Sequence, residues 1–380
     1  MKRNLYLMYA IALLQGMVFY GPIATLYRQA RGLSVFEITL IESISLGLCI
    51  LLELPWGVVA DRIGYRNTMV FCCWLYFASK LVFWQAEGFG AFLAERVLLS
   101  VVTAGLSGVD ESILWLSCKG EGGQRAFGVY NALGMAGLLF AAAVFTLWVG
   151  EDQQLAALLT VASYGLAAVL ALALVQVRPA APPSAEKGRV AAALGSVLAD
   201  RPLVLFLVGA ALLGETHQTL TVFLNQPQYV RCGMGAGAIG WAYLAASALG
   251  LGGALSAAVT AKLGTRRALA LLGGAALAAC LALAFTRSAP VSVAAILTLR
   301  GSNTLFQPLQ MELQNRRVRT ADRATALSAC AVLSGAVAVG TNLVFGALAQ
   351  LALPLAFVLG ACLCAAGLLL FAAGRGVWER

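Results

Sequence analysis

The decapeptide Gly57-Val58-Val59-Ala60-Asp61-Arg62-Ile63-Gly64-Tyr65-Arg66 returns 200 residues later as Ala257-Ala258-Val259-Thr260-Ala261-Lys262-Leu263-Gly264-Thr265-Arg266. Gly64 matches Gly264, Arg66 matches Arg266, and Arg62 and Lys262 keep a basic charge, while Asp61 becomes Ala261. Each copy joins two long apolar runs at the same place in the order of runs. The chain therefore reads as two halves built on one plan.

The composition says where such a chain lives. Of 380 residues, 61% are apolar and 11% charged, with mean hydropathy +0.85. Soluble domains carry about a quarter charged residues, so a water-soluble globule, a disordered chain and a secreted disulfide scaffold are all excluded. The apolar runs are continuous and helix-length, unlike the short alternating segments of a membrane β-barrel. Twelve runs reach the roughly 20 residues that cross a bilayer core: 5–27, 35–59, 67–86, 90–116, 126–149, 154–177, 203–224, 236–261, 267–286, 289–311, 325–350 and 353–374. The first follows Lys2-Arg3 and has no small-residue cleavage site, so it reads as retained.

Charge placement supports this count, because cytoplasmic loops carry the excess of Lys and Arg. With both termini inside, nineteen of the 26 Lys and Arg fall in inner segments and four (Arg28, Arg31, Arg231, Arg287) in outer loops. The net charge of +9 is thus a topology signal, and no nucleic-acid partner is needed to explain it. The longest polar interruption, 178–202, carries Pro179, Pro182 and Pro183 and reads as a cytoplasmic linker between six-helix bundles at 1–177 and 203–380. The expected fold is an all-α membrane protein of twelve transmembrane helices in two pseudo-symmetric six-helix bundles.

Seven of the nine cysteines sit inside apolar runs, and Cys362-x-Cys364 and Cys72-Cys73 lack zinc spacing. They read as packing residues, with no metal and no cofactor expected. The chain has no phosphate-binding G-x-x-x-x-G-K-[ST] loop, no HExxH and no GxSxG, so direct use of ATP and intramembrane hydrolysis are not expected.

G-x-x-x-D-R-x-G-x-R between runs two and three, with a degenerate copy between eight and nine, resembles the signature loop of the major facilitator superfamily. Glu53-Leu-Pro55-Trp-Gly57 is similar to the E-x-P-x-G run of many bacterial drug and small-molecule transporters in it. The resemblance implies a monomeric secondary transporter of a bacterial inner membrane, in which spans one, four, seven and ten line a central cavity. It also implies that Asp61, Arg62 and Arg66 form a gate latch, Asp61 facing the start of span eleven and the basic residues the inner end of span four. Asp110 and Glu111 lie near that end, and Glu53 about 12 Å above Asp61. Two departures stand out. Arg96 of the R-x-x-Q-G run of exporters is followed by Leu99 and Ser100, and the G-P-x-x-G-G run of span five is absent.

Charges at membrane depth are functional candidates because they are costly there. Glu42, Glu53, Lys80, Glu95, Arg96, Asp110, Glu111, Glu215, His217 and Arg300 lie within spans. Glu215 falls about 18 Å into span seven, near the midplane, with Gln218 and Thr219 on its face. It either binds and releases a coupling proton or is satisfied by a neighbouring basic group. His217, the single histidine, is a second proton candidate or a packing residue. Span ten repeats Arg300, Asn303, Gln307, Gln310 and Gln314 at steps of three and four, one face of a helix. Span four repeats Arg96, Ser100, Thr103, Ser107 and Asp110 likewise, with Asp110 a gate partner or a cavity carboxylate. Gln15 and Tyr20 of span one join the candidate substrate face, and Gly21-Pro22 is expected to bend that span. Lys80 and Glu42 read as satisfied within the bundle.

The expected function is proton-coupled efflux of a drug-like or amphipathic solute by alternating access. The alternatives are proton-coupled uptake of an anionic metabolite, suggested by Arg96, Arg300 and the missing span-five run, and a non-transporting membrane sensor. The expected partners are a small-molecule substrate, protons and the lipid bilayer.

Overall fold

The structure, a computed structural model, describes residues 2–118, 123–177, 195, 197–317 and 323–377. Among them, twelve helical stretches of membrane-crossing length follow the sequence plan. Ten are also apolar enough to cross by composition alone. The other two, Tyr65–Gln85 (span three) and Ala289–Arg317 (span ten), carry Arg66, Asn67 and Lys80 or the polar stripe from Arg300 to Gln314.

Several spans are interrupted. Span one is Lys2–Gly16, a break, a 3-10 turn Gly21–Ile23 with Pro22 at its start, and Ala24–Ala30. The bend expected at Gly21-Pro22 is present, and it starts four residues earlier. Span six repairs the freed backbone: Ser163 Oγ donates to Leu14 O (2.6 Å), Tyr164 Oη to Gln15 O (2.6 Å), and Phe19 N–H to Thr160 Oγ1 (3.0 Å). Such repair is required where no water competes for backbone groups. The extension to Ala30 also moves Arg28 from an outer loop into a helix. Span four breaks between Gly88–Leu106 and Val109–Ser117 because Gly108 adopts a left-handed φ of 76°. The stripe from Arg96 to Ser107 therefore does not continue in register to Asp110. Span seven runs from Arg201 through Gln218, passes through a π-helical turn Thr219–Leu224, and continues to Arg231.

The chain forms two compact units. One comprises Met1–Leu33, Ile44–Ala185 and Ala236–Leu244; the other comprises Ser34–Ser43, Glu186–Gly235 and Ala245–Arg380.

In the first unit, span one lies backbone to backbone on span five (Gly123–Val144). A Cβ on Gly137 would overlap the carbonyl oxygen of Leu13, and one on Gly16 the carbonyl oxygen of Gly134. Neither obstacle is a side chain that can turn aside. Gly137→Val is expected to lower stability by about 1–3 kcal/mol through overpacking, read as an earlier thermal unfolding midpoint in detergent.

In the second unit, spans seven and twelve (Leu353–Ala373) meet the same way, Gly209 against Gly367. Asp200 caps span seven by accepting from Leu203 N–H (3.3 Å) and holds Arg317 through both carboxylate oxygens, at 2.6 and 2.9 Å. Span two (Val35–Ile63) opens in this unit with a reciprocal cap: Ser34 N–H and Oγ–H donate to Glu37 Oε2, and Glu37 N–H to Ser34 Oγ.

Candidate functional site

Each unit encloses its own cluster of polar side chains around a carboxylate. In the first, Glu95 of span four is 1% exposed, and its carboxylate lies 3.8 Å from Arg28 of span one and 3.8 Å from Lys80 of span three. Lys80 Nζ also donates to Tyr20 Oη at 3.0 Å and sits over the rings of Tyr20, Tyr76 and Tyr164. Tyr20, Phe83 and Tyr27 form a stack with centroid steps of 4.1 and 4.7 Å, and Arg28 faces Phe83 at 5.4 Å. Two cations and one carboxylate are thus enclosed by aromatic faces that share the positive charge. Lys80 is satisfied within the bundle, as the sequence suggested. Tyr20 belongs to this buried cluster. Gln15 donates to Cys73 Sγ at 3.4 Å, and Arg96 lies half-buried one residue after Glu95.

In the second unit, Glu215 is half-buried and Oε2 accepts from Asn342 Nδ2 at 3.2 Å. Asn342 is fully buried on span eleven (Arg323–Leu351), and its Oδ1 accepts from Thr219 Oγ1 at 2.7 Å. An ionised carboxylate only accepts, so the NH2 group of Asn342 is turned to Glu215 and its oxygen is left to accept from the Thr219 hydroxyl. Among the described residues no cation lies within ion-pair distance of Glu215. The basic neighbour that a structural role would call for is replaced by a neutral amide. Thr219 opens the π-helical turn, a departure from α geometry that recurs at functional positions. Asn342→Leu removes a donor and an acceptor at once and is expected to cost about 1–3 kcal/mol of stability in a thermal unfolding assay.

His217 points elsewhere. It is fully buried, and its Nδ1 lies 2.8 Å from Leu213 O. A carbonyl only accepts, so Nδ1 carries the proton in this contact, and Nε2 makes no hydrogen bond among the described residues. Glu215 and His217 are not brought together.

On span ten, Arg300, Asn303 and Gln310 are half-buried and Gln307 is exposed. At about 100° per residue the stripe lies a quarter-turn from the packed face of Leu299, Ser302, Phe306 and Leu313. Among the described residues no carboxylate lies within ion-pair distance of Arg300, and Asn303 Oδ1 is buried without a hydrogen-bond partner.

Around the signature loop, Arg66 donates to Leu174 O (2.6 Å), Leu172 O (3.0 Å) and Asn67 Oδ1 (3.2 Å), capping the end of span six (Gln153–Leu172). Its described hydrogen bonds therefore go to span six and to Asn67, not to the inner end of span four. Arg62 is exposed. Asp110 accepts from Tyr130 Oη (3.4 Å) and from Glu111 N–H (2.8 Å), with Glu111 exposed. The side chains of Glu53 and Asp61 lie outside the described residues. Among the described residues no His, Cys, Asp or Glu cluster fits a metal ion.

Two pairings carried no local signal. Arg28 and Glu95 are 67 positions apart and Asn342 is 127 from Glu215; only the folded chain pairs them.

Among the described residues, twelve membrane-length helices with buried ionisable groups and a lined-up polar face mark a polytopic membrane protein. Comparison with known proteins gives the family. The family model described as Major Facilitator Superfamily matches residues 5–341. The chain belongs to that superfamily and is a secondary transporter, not an enzyme. Among solved structures, it is similar to the nucleoside transporter NupG at 14% identity and TM-score 0.80, covering 100% of both chains. A POT family transporter in complex with 5-aminolevulinic acid is similar at 14% identity and TM-score 0.73, covering 99% of this chain and 97% of the other. A bacterial homolog of the human lysosomal transporter Spinster, inward-facing and unoccupied, is similar at 16% identity and TM-score 0.70, covering 98% and 94%. At these identities the likeness is one of fold. No curated protein matches the sequence.

Proposed function

We propose that this transporter couples solute movement to protons through Glu215 and exports amphipathic or hydrophobic small molecules by alternating access. The supporting observation is the partner of Glu215, a neutral amide in place of a cation. An ion-paired carboxylate must break its pair to take a proton, whereas Glu215 gains or loses one while Asn342 keeps donating to the other oxygen. This reading places the proton step on Glu215 alone, and His217, whose Nδ1 faces Leu213 O on its own helix, is not needed for it. The proposed setting is a bacterial inner membrane, with both termini cytoplasmic, a monomer, and halves 1–177 and 203–380 joined by the linker 178–202. In this reading Gln15, Tyr20, Arg96, Arg300, Asn303 and Gln307 serve the solute, and Glu53, Asp61, Arg62, Arg66, Asp110 and Glu111 the gate.

Direction is tested in proteoliposomes with an acidic lumen and a panel of labelled solutes. Export by antiport draws solute towards the acidic side, so accumulation inside supports it; expulsion from the lumen contradicts it. Arg300, with no carboxylate at ion-pair distance among the described residues, favours a second reading, uptake of an anionic metabolite. In that case Arg300→Ala abolishes binding of acidic solutes and spares neutral ones.

A further inference from the structure

Glu42 of span two is not used by the proton step described above. It is 8% exposed, and it lies in Ser34–Ser43, the part of span two that belongs to the same compact unit as spans seven and eleven. Two contacts fix how this segment lies on span eleven. Ser43 Oγ, which donates to Thr39 O of its own helix at 3.0 Å, lies 3.4 Å from Val339 O. A Cβ on Gly346 would overlap the Thr39 hydroxyl and come within 3.3 Å of Phe36 Cα. The helices therefore run antiparallel, with 36–39 level with Gly346 and Ser43 level with Val339. Glu42, three residues after Thr39 on the same helix face, falls at the level of Asn342. Asn342 is the residue whose amide holds Glu215.

We propose that Glu42 and Glu215 form one coupling site, a pair of carboxylates that shares a proton at the amide of Asn342. One N–H of Asn342 is committed to Glu215, leaving the second for Glu42. Two carboxylates at short range do not both hold their charge; one protonated oxygen donates to the other carboxylate, and the pair carries a single negative charge. A second proton neutralises the pair, and its release restores the shared state, so one proton is moved per cycle. Of the other acidic and basic groups on the elements packed here, Glu37 is held by Ser34, His217 Nδ1 faces Leu213 O, and Arg300 is half-buried on span ten, while Arg201, Arg231, Glu312, Arg316 and Arg317 lie towards the ends of their helices. Span eleven carries one charged residue, Arg323, at its start. This inference rests on Glu215 being the proton carrier.

Proton binding by the full chain in phospholipid nanodiscs, followed with a pH-indicator dye, tests the pair by difference between wild type and variants. The wild type is expected to show two coupled steps separated by more than about one pH unit. Either Glu42→Gln or Glu215→Gln collapses them to a single displaced step, and the double variant removes both. Glu42→Asp, which keeps the carboxylate, retains two steps and separates loss of the pair from loss of folding. If Glu42→Gln leaves the Glu215 step at its wild-type position, the pair is overturned while the carrier role of Glu215 stands. If Glu215→Gln leaves both steps in place, the carrier role itself fails.

Discussion

Glu215→Gln is expected to reduce solute-driven proton movement at least about 100-fold, the lower range for loss of a positioned proton-transfer group. Exchange of labelled for unlabelled solute is expected to persist. The substitution is nearly isosteric, and the new amide oxygen still accepts from Asn342, so the Thr219–Asn342 arrangement that fixes the geometry is kept. What is lost is the capacity to take and release a proton. Exchange needs only that the loaded carrier reorient, whereas net coupled transport needs the proton as well. A variant that loses exchange and coupling together would point to a structural role for Glu215. The measurement is counterflow and proton flux on the same proteoliposome preparation.

The largest expected loss of stability is at Glu95, in the other unit. Glu95→Gln leaves Arg28 and Lys80 enclosed with no carboxylate between them. Removing one partner of a buried ion pair costs about 3–5 kcal/mol, because the remaining charge has neither water nor a counter-ion. The aromatic faces of Tyr20, Tyr76 and Tyr164 soften this for Lys80, and those of Phe83 and Phe92 for Arg28, without replacing the carboxylate. A double change, Glu95→Gln with Lys80→Met, is expected to cost less than the sum of the single changes, since the two residues share one interaction. Thermal unfolding of the three variants in detergent reads this directly; additive losses would show that Glu95 and Lys80 are not coupled.

What was legible in the sequence follows from what a sequence encodes locally. Run length gave the twelve spans, and the three-four spacing of Arg300, Asn303, Gln307, Gln310 and Gln314 marked one face of a helix that the structure keeps unbroken from Ala289 to Arg317. The shared face of Glu215 and Thr219 was readable for the same reason, and Thr219 indeed belongs to its hydrogen-bond chain. The bend at Gly21-Pro22 was readable because proline cannot continue the ladder of hydrogen bonds. The break at Gly108 was missed, since nothing but the backbone itself distinguishes a glycine in left-handed conformation from the many others in the chain. Pairings across the fold were missed too. Arg28 looked like a loop cation because its helix outruns the apolar segment, and Asn342 looked like one polar residue in an apolar span. The exchange of Ser34–Ser43 and Ala236–Leu244 between units is a property of packing and leaves no periodic trace.

The most direct test of the central claim is proton release measured with a trapped pH dye as a solute gradient is imposed on proteoliposomes, wild type beside Glu215→Gln. The account predicts a pH change in wild-type vesicles that follows the solute gradient in sign and is absent in the variant. Solute transport by the wild type with no pH change, or an equal pH change in Glu215→Gln, would contradict it.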